Sequence, residues 1–461
     1  MTALRARSAI RVGAALAVVL LTLMSLPAGL AEAAVRTVTT HVPVIFVHGN
    51  SGSAQQFETD AMRFSSNGYS DNELYAYEYD TSGPSNTAAV AGLDGFIASV
   101  ENRTGRNKVD VIAHSRGTSV MFTYLNSSPL RAAQVDRYVN FDGATGSAPP
   151  GGVPTLAIWA EGSPARTIVG ATNVSFPSMS HNEVTTSAAA FAEVYRFLNG
   201  SNPATTEVVP QPPGRVTVSG RADYFPSNAG AAGSTLRVYR VFAATGQRKS
   251  AVPDYQVPIG PDGSFGPLHI NGQAHYEFAV TLPTGITQHV YFQPFERSDH
   301  FVRLLVSPPG GIDSFITRDP GRMAITVLRM REWRADQPTA AENDQLLVNG
   351  ADVLTPVNDP RSRDVISLFL FDVGNDGITN LNNLVFPFNV TKFLTNVDIY
   401  IPASADHSGT VSLTNVGRQT GAVTVPQKAT INVPDWPSST DGVTVQFKEY
   451  VPLSFSSGHS S

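Results

Sequence analysis

Cysteine is absent from the 461-residue chain. That excludes disulfides, a thiolate metal site and a cysteine nucleophile, so stability has to come from core burial or from bound ions. Charge is also sparse, at 15% of residues, with a formal net charge of −6. An excess of acid argues against nucleic acid and against anionic membrane surfaces as partners. Long apolar runs are missing except at the start. There Arg5, Arg7 and Arg11 precede the mostly apolar stretch Ile10 to Leu26, and Ala31-Glu32-Ala33 follows as a small-x-small cleavage site. This pattern predicts a secretory signal peptide, residues 1–33, cut near Ala33, and hence an extracellular protein. Its removal takes away three arginines and one glutamate, which moves the net charge from −6 to −8. Hydrophobic residues make up 42% of the chain, enough for two or three cored domains.

Against these absences one stretch stands out, Lys108 to Asn126, reading KVDVIAHSRGTSVMFTYLN. Val109, Val111, Ile112 and Ala113 read as a strand. Val120, Met121, Tyr124 and Leu125 recur at helical spacing until Ser127-Ser128-Pro129. Between them lies Ala113-His114-Ser115-Arg116-Gly117, a small-x-Ser-x-small turn from strand to helix. This is the layout of a nucleophile elbow. The turn is tight, so residues two before and two after the serine must be small. Ser115 is then exposed at the carboxyl end of the strand, and the Arg116 amide at the helix start can face an oxyanion.

Around the elbow, strands alternate with helices. Val42 to Val47 is a strand ending in His48-Gly49-Asn50-Ser51-Gly52, where the Asn50 amide would supply the other half of an oxyanion hole and His48 would brace the loop. Phe57 to Phe64 reads as a helix, Leu74 to Tyr79 as a strand and Thr87 to Glu101 as a helix. Val135 to Phe141 and Pro154 to Trp159 read as strands. Ser187 caps a last helix closed by Asn199-Gly200. The expected fold over residues 34–200 is an α/β hydrolase, a mostly parallel sheet with helices on both faces. The Pro-rich segment 201–214 reads as a linker. Beyond it, alternating runs such as RVTVSG, TLRVYRVF, ISLFLF and VTVQFKEYV, with turns at Asp262-Gly263, Asn271-Gly272, Asn349-Gly350 and Asp376-Gly377, predict an all-β region. Ser307-Pro308-Pro309-Gly310-Gly311 would divide it into two sandwich-like units, 215–308 and 309–461.

A serine needs a base and the base a carboxylate, in the chain order Ser, acid, His for this fold. Downstream of Ser115 the hydrolase half holds one histidine, His181, on a loop before the last helix. Two acids compete. Asp142 ends the strand after the elbow helix, with Gly143 suited to a tight turn, and Glu161 ends the next strand. Asp142 is preferred; Asp136, inside its strand, reads as structural. The motifs FVHGNSGSAQQFE, AHSRG, YLNSSPLRAAQV, NFDG, ATNVSFPSMSH and NGSNPATTEVVPQ resemble the secreted bacterial and archaeal lipases with an Ala-His-Ser-x-Gly elbow, especially an archaeal two-domain type with a β-rich C-terminal domain. The resemblance implies Ser115, Asp142 and His181 as a triad, the Asn50 and Arg116 amides as oxyanion hole, no cofactor, and an ester or lipid substrate met in part through the β region.

Two departures from that family matter. An apolar residue usually follows the serine, where this chain has Arg116, a cation expected at the site's mouth. The lid insertion of the two-domain relative is shortened or absent between Asp80 and the elbow, which favours an open, esterase-like site. A polyester depolymerase or peptidase on the same triad, or a binding protein with a relic hydrolase domain, are the alternatives. Asp372-Val373-Gly374-Asn375-Asp376-Gly377 is similar to a calcium loop but has Gly374 where a ligand is needed, so it reads as a turn. His269, His275, His289 and His300 share no spacing that suggests a metal.

Overall fold

A computed structural model describes residues 39–160, 165–334, 343–418 and 428–449. The expected signal peptide and Glu161 lie outside them. The hydrolase half is built on six parallel strands: β1 (Val44–Val47), β2 (Leu74–Tyr77), β3 (Val109–His114), β4 (Val135–Phe141), β5 (Thr155–Trp159) and β6 (Thr172–Ser175). Their order is β2-β1-β3-β4-β5-β6, so the chain reverses its direction of winding between β1 and β3. Ligands of open α/β sheets bind at the carboxyl ends of strands flanking such a reversal. Here those ends are His48-Gly49-Asn50 and Ser115.

Among the described residues six helices accompany the sheet: α1 (Glu58–Ser66), α2 (Thr87–Thr104), α3 (Arg116–Ser127), α4 (Pro129–Ala133), α5 (Glu183–Thr186) and α6 (Ala188–Asn199). Side chains alternate along each strand, which splits the core in two. Phe46, Ile112, Val139 and Ile158 pack against Phe57 and Phe64 near α1 and Phe191 and Leu198 of α6. Ile45, Val47, Val111 and Ala113 pack against Leu93 and Ile97 of α2 and Met121 and Tyr124 of α3. Both faces of the sheet are covered, as an all-parallel sheet requires. Helix α6 begins where Ser187 accepts a bond from the Ala190 amide, and it ends at Gly200 in the left-handed region.

The second half is β throughout, apart from single 3-10 turns among the described residues. Its strands are β7 (Val216–Tyr224), β8 (Ala229–Gly230), β9 (Thr235–Val241), β10 (Tyr255–Pro258), β11 (Ser264–Ile270) and β12 (His275–Thr281). Then follow β13 (Thr287–Phe292), β14 (Asp299–Val306), β15 (Ile325–Leu328), β16 (Gln345–Val348) and β17 (Ala351–Asp352). The last are β18 (Ser367–Phe371), β19 (Leu394–Asp398), β20 (Thr410–Val416), β21 (Lys428–Pro434) and β22 (Asp441–Gln446). One eight-stranded sheet, β10-β9-β12-β13-β22-β15-β18-β19, runs across the Ser307–Gly311 segment, because β13 pairs in parallel with β22. Smaller sheets, β11-β7-β14 and β17-β16-β20-β21, complete this half. The Pro-rich segment before it is pinned to α1: Arg63 Nε donates to the Thr206 carbonyl (2.8 Å), and Val208 packs on Met62.

One histidine outside the hydrolase half carries structural weight. His289 on β13 is buried between Glu277 on β12 (2.6 Å) and Asp441 at the start of β22 (2.8 Å), and stacks on Trp436 with ring centroids 3.8 Å apart. Burial alone would lower its pKa, but the two carboxylates outweigh that and raise it. A raised pKa gives a contribution to stability that is complete below about pH 6.5, the unfolded value, and is lost as pH rises through the folded one. Melting temperature measured from pH 6 to 9 is therefore expected to fall more steeply in the wild type than in His289→Gln. Parallel curves would remove this role. Among the described residues no cluster of three potential ligands could hold a metal, and Asp372–Gly377 forms a turn in which Asp372 Oδ2 accepts the Gly377 amide (2.9 Å).

Candidate active site

Ser115 stands between β3 and α3 with φ 51° and ψ −120°, a backbone conformation that few non-glycine residues adopt. The neighbours that sequence reasoning required to be small are small for a visible reason. A Cβ on Gly117 would lie 2.4 Å from the Val47 carbonyl oxygen and 2.6 Å from that of His48. Gly117→Ala is therefore expected to destabilise the fold by about 1–3 kcal/mol through overpacking. The displaced carbonyls belong to the Val47–Asn50 turn beside Ser115, and a melting curve checks the loss. Gly49 backs directly onto Ser115, for a Cβ there would sit 3.1 Å from Ser115 Cβ.

The structure brings Asp142 and His181 together: His181 Nδ1 lies 2.6 Å from Asp142 Oδ2. The other carboxylate oxygen of Asp142 accepts the Ala160 amide (3.0 Å) and Arg166 (3.1 Å). Burial pushes this carboxyl up, but the His181 hydrogen bond, the Ala160 amide and the Arg166 charge outweigh it and hold it below the usual carboxylate range. Gly143 is required here too, since a Cβ would meet Thr118 Oγ1 at 1.9 Å. His181 rests against the elbow. Its carbonyl accepts from His114 Nε2 (2.9 Å), and the two rings are 4.5 Å apart at their centroids. The Ser115 hydroxyl makes no hydrogen bond among the described residues. In ligand-free sites such bonds are often long and tighten only on binding substrate.

His114 is buried, and burial together with the neighbouring His181 pushes its pKa well below the usual value, so it is neutral. It donates from Nε2 to the His181 carbonyl and accepts at Nδ1 from Gln56 Nε2 (2.6 Å). Gln56 is a hub: its oxygen takes the Gly49 amide (2.9 Å), and its nitrogen also serves Asn182 Oδ1 (3.0 Å). The backbone amides of Asn50 and Arg116 donate to no acceptor among the described residues, which leaves two N–H groups beside Ser115 available to an anionic oxygen.

The Arg116 guanidinium, the cation expected at the site's mouth, is held by its neighbours. It donates to Asn86 Oδ1 (2.8 Å), Asn50 Oδ1 (2.9 Å) and the carbonyls of Thr81 (3.1 Å), Gly83 (2.7 Å) and Ser85 (3.0 Å). It straps the 81–86 loop to the Asn50 turn. His48 has the bracing role expected of it. It stacks on Tyr79 (4.3 Å) and takes bonds from the Tyr79 amide (3.3 Å) and from Asn228 Nδ2 (3.2 Å), a residue of the β half.

Beside these groups lies a cavity of about 100 Å³. One wall is Asn50 to Ser53, Gln56 and Asn182; the other is supplied by the β half, with Leu305, Ile312, Leu328, Met330, Phe369 and Phe393. Ser115 and His181 do not themselves line it, but Phe393 does, and its ring lies 6.1 Å from that of His181. Phe393 has φ 72°, a strained position for a bulky residue, fixed by backbone bonds to Arg363, Ile366 and Ser367. The segments that line the cavity run into exposed Phe315, Phe386 and Val390, the first two in edge contact at 5.7 Å.

Sequence reasoning did not find Gln56, Asn182, Asn228 or Phe393. Gln56 falls inside a motif that carried the family resemblance, but no spacing announced its role.

Comparison with known proteins gives three successive family matches: Lipase (class 2) over residues 41–128, Lipase C-terminal domain over 214–309, and a further C-terminal domain over 311–451. Among solved structures, Aspergillus fumigatus lipase B is similar at 16% identity over 36% of this chain and 54% of its own, with TM-score 0.29. A predicted CIB-like hydrolase from Thermoplasma acidophilum is similar at 16% identity over 35% of this chain and 88% of its own, with TM-score 0.28. Bacillus licheniformis lipase BlEst2 in propeptide form is similar at 12% identity over 85% of this chain and 93% of its own, with TM-score 0.28. At such TM-scores the family matches alone carry weight.

Proposed function

We propose that this lipase-type α/β hydrolase with a β-rich C-terminal part is a serine carboxylic-ester hydrolase, a lipase or carboxylesterase. Ser115 Oγ attacks the acyl carbon while His181 Nε2 takes its proton. Asp142 holds Nδ1–H and stabilises the imidazolium. The Asn50 and Arg116 amides receive the tetrahedral oxyanion. Collapse expels the alcohol, which takes the proton from His181. Water, deprotonated by the same histidine, then releases the acid and regenerates Ser115. The observation that carries this reading is the 2.6 Å contact of His181 with Asp142 at the end of the sheet where Ser115 is displayed.

The apolar wall contributed by the β half favours a substrate with a hydrocarbon acyl chain, lying along Leu305, Leu328 and Phe393. Exposed Phe315, Phe386 and Val390 beside it are suited to a lipid surface. Export through the N-terminal signal, with cleavage near Ala33, is part of the same proposal, as is the division into a hydrolase domain and two β units. Nitrophenyl esters of increasing acyl length test it. Hydrolysis that persists to long chains supports the acyl wall, activity confined to short chains reduces the protein to an esterase, and no hydrolysis of any ester sinks the reading.

A further inference from the structure

The loop that carries His181 is gripped from the β half by a single carboxylate. Glu332, on the segment after β15, is fully buried. Its Oε1 accepts the Asn182 backbone amide (2.6 Å) and the Asn182 side-chain amide (2.8 Å). Its Oε2 accepts the Ser180 hydroxyl (2.5 Å) and the Glu183 backbone amide (3.0 Å). All four donors belong to the three residues that flank His181, and no cation pairs with these oxygens among the described residues. Neighbouring Arg331 adds an ion pair to Glu183 (2.7 Å).

Burying a carboxylate is costly, and hydrophobic residues filling the same space would stabilise a fold as well or better. What four charge-assisted bonds to one short loop achieve is direction: they fix the backbone on both sides of His181. The bonds continue past it. Asn182 also accepts from Gln56, which bonds His114 and the Gly49 amide, so one buried chain links the β-half carboxylate to the turn that carries the Asn50 amide.

We propose that Glu332 is a positioning residue for His181, and that the hydrolase half takes its catalytic geometry from the β half. This rests on the serine-hydrolase reading above. In Glu332→Gln the shape is kept, but an NH₂ replaces one acceptor and confronts donors it cannot bond. Displacing a catalytic base by about 1 Å costs on the order of 10²-fold in rate. The test is steady-state hydrolysis of a short soluble ester, with labelling of Ser115 by a fluorophosphonate, on protein shown by circular dichroism to be folded. The expected result is kcat and labelling rate lower by about 10- to 100-fold, with KM nearly unchanged. Glu332→Asp should recover part of the loss, and Ser180→Ala should lower kcat in the same direction by less. A folded Glu332→Gln enzyme with wild-type kcat, or with a change confined to KM, overturns the proposal. If Glu332→Gln does not fold, wild-type kcat in both Glu332→Asp and Ser180→Ala overturns it. Retained activity in Ser115→Ala would instead overturn the hydrolase reading beneath it.

Discussion

Ser115→Ala is expected to lower kcat for any ester that the wild type hydrolyses by about 10⁶-fold, the loss seen when the nucleophile of a serine triad is removed. The residue that remains can still bind substrate beside the free amides of Asn50 and Arg116, so KM should move little and a residual rate above water should persist. The fold should tolerate the change. Ser115 Oγ makes no hydrogen bond among the described residues, and the strained φ of 51° is imposed by the packing of β3, α3 and the Gly49 turn rather than by the hydroxyl. Steady-state kinetics and a melting curve on the same preparation check both halves. A kcat within tenfold of wild type would show that the hydroxyl is not the nucleophile.

Asp142→Asn should lower kcat by about 10⁴-fold. The carboxylate accepts the proton of His181 Nδ1 at 2.6 Å and so leaves Nε2 free to take a proton. An asparagine can turn its NH₂ toward Nδ1, which stabilises the wrong tautomer and blocks the base. The pH behaviour follows from the lowered pKa of Asp142. Its contribution to stability is present above the unfolded value of about 3.9 and is lost as pH falls through the lower folded one. Acid inactivation above about pH 4 therefore does not come from protonating this group. The measurement is kcat/KM against pH in both proteins. A small uniform decrease in Asp142→Asn would point to another carboxylate as the partner of His181.

These effects depend on how much of the site is local. The elbow was legible because the chemistry demands a strained turn, and a strained turn demands small neighbours at fixed offsets. Ala113 and Gly117 answer that demand, and the carbonyls of Val47 and His48 show why. The helix at Ser187 was legible for a similar reason, since its cap and its closing Gly200 are local devices. Strand β6 was not, because Thr172–Ser175 is a short, polar edge strand with no buried face to impose an alternation.

What escaped sequence reasoning depends on distant pairing. Nothing near Val443 says that β22 lies beside β13, so the eight-stranded sheet running across the Ser307–Gly311 segment could not be read. Arg116 was expected as a cation at the site's mouth, but not as a strap. Its five acceptors come from residues 50 and 81–86, and no local pattern shows that they converge on it. Glu332 sits in the run Arg329-Met330-Arg331-Glu332-Trp333-Arg334, which reads as an ordinary charged stretch. Its contact with Ser180, Asn182 and Glu183 exists only once both halves have folded against each other.

Covalent labelling with a fluorophosphonate, followed by peptide mass mapping, is the most direct examination of the mechanism. A single adduct on Ser115, absent from Ser115→Ala and slowed in Asp142→Asn, is the expected result. No adduct, or an adduct on another serine of a folded and ester-hydrolysing protein, would contradict it.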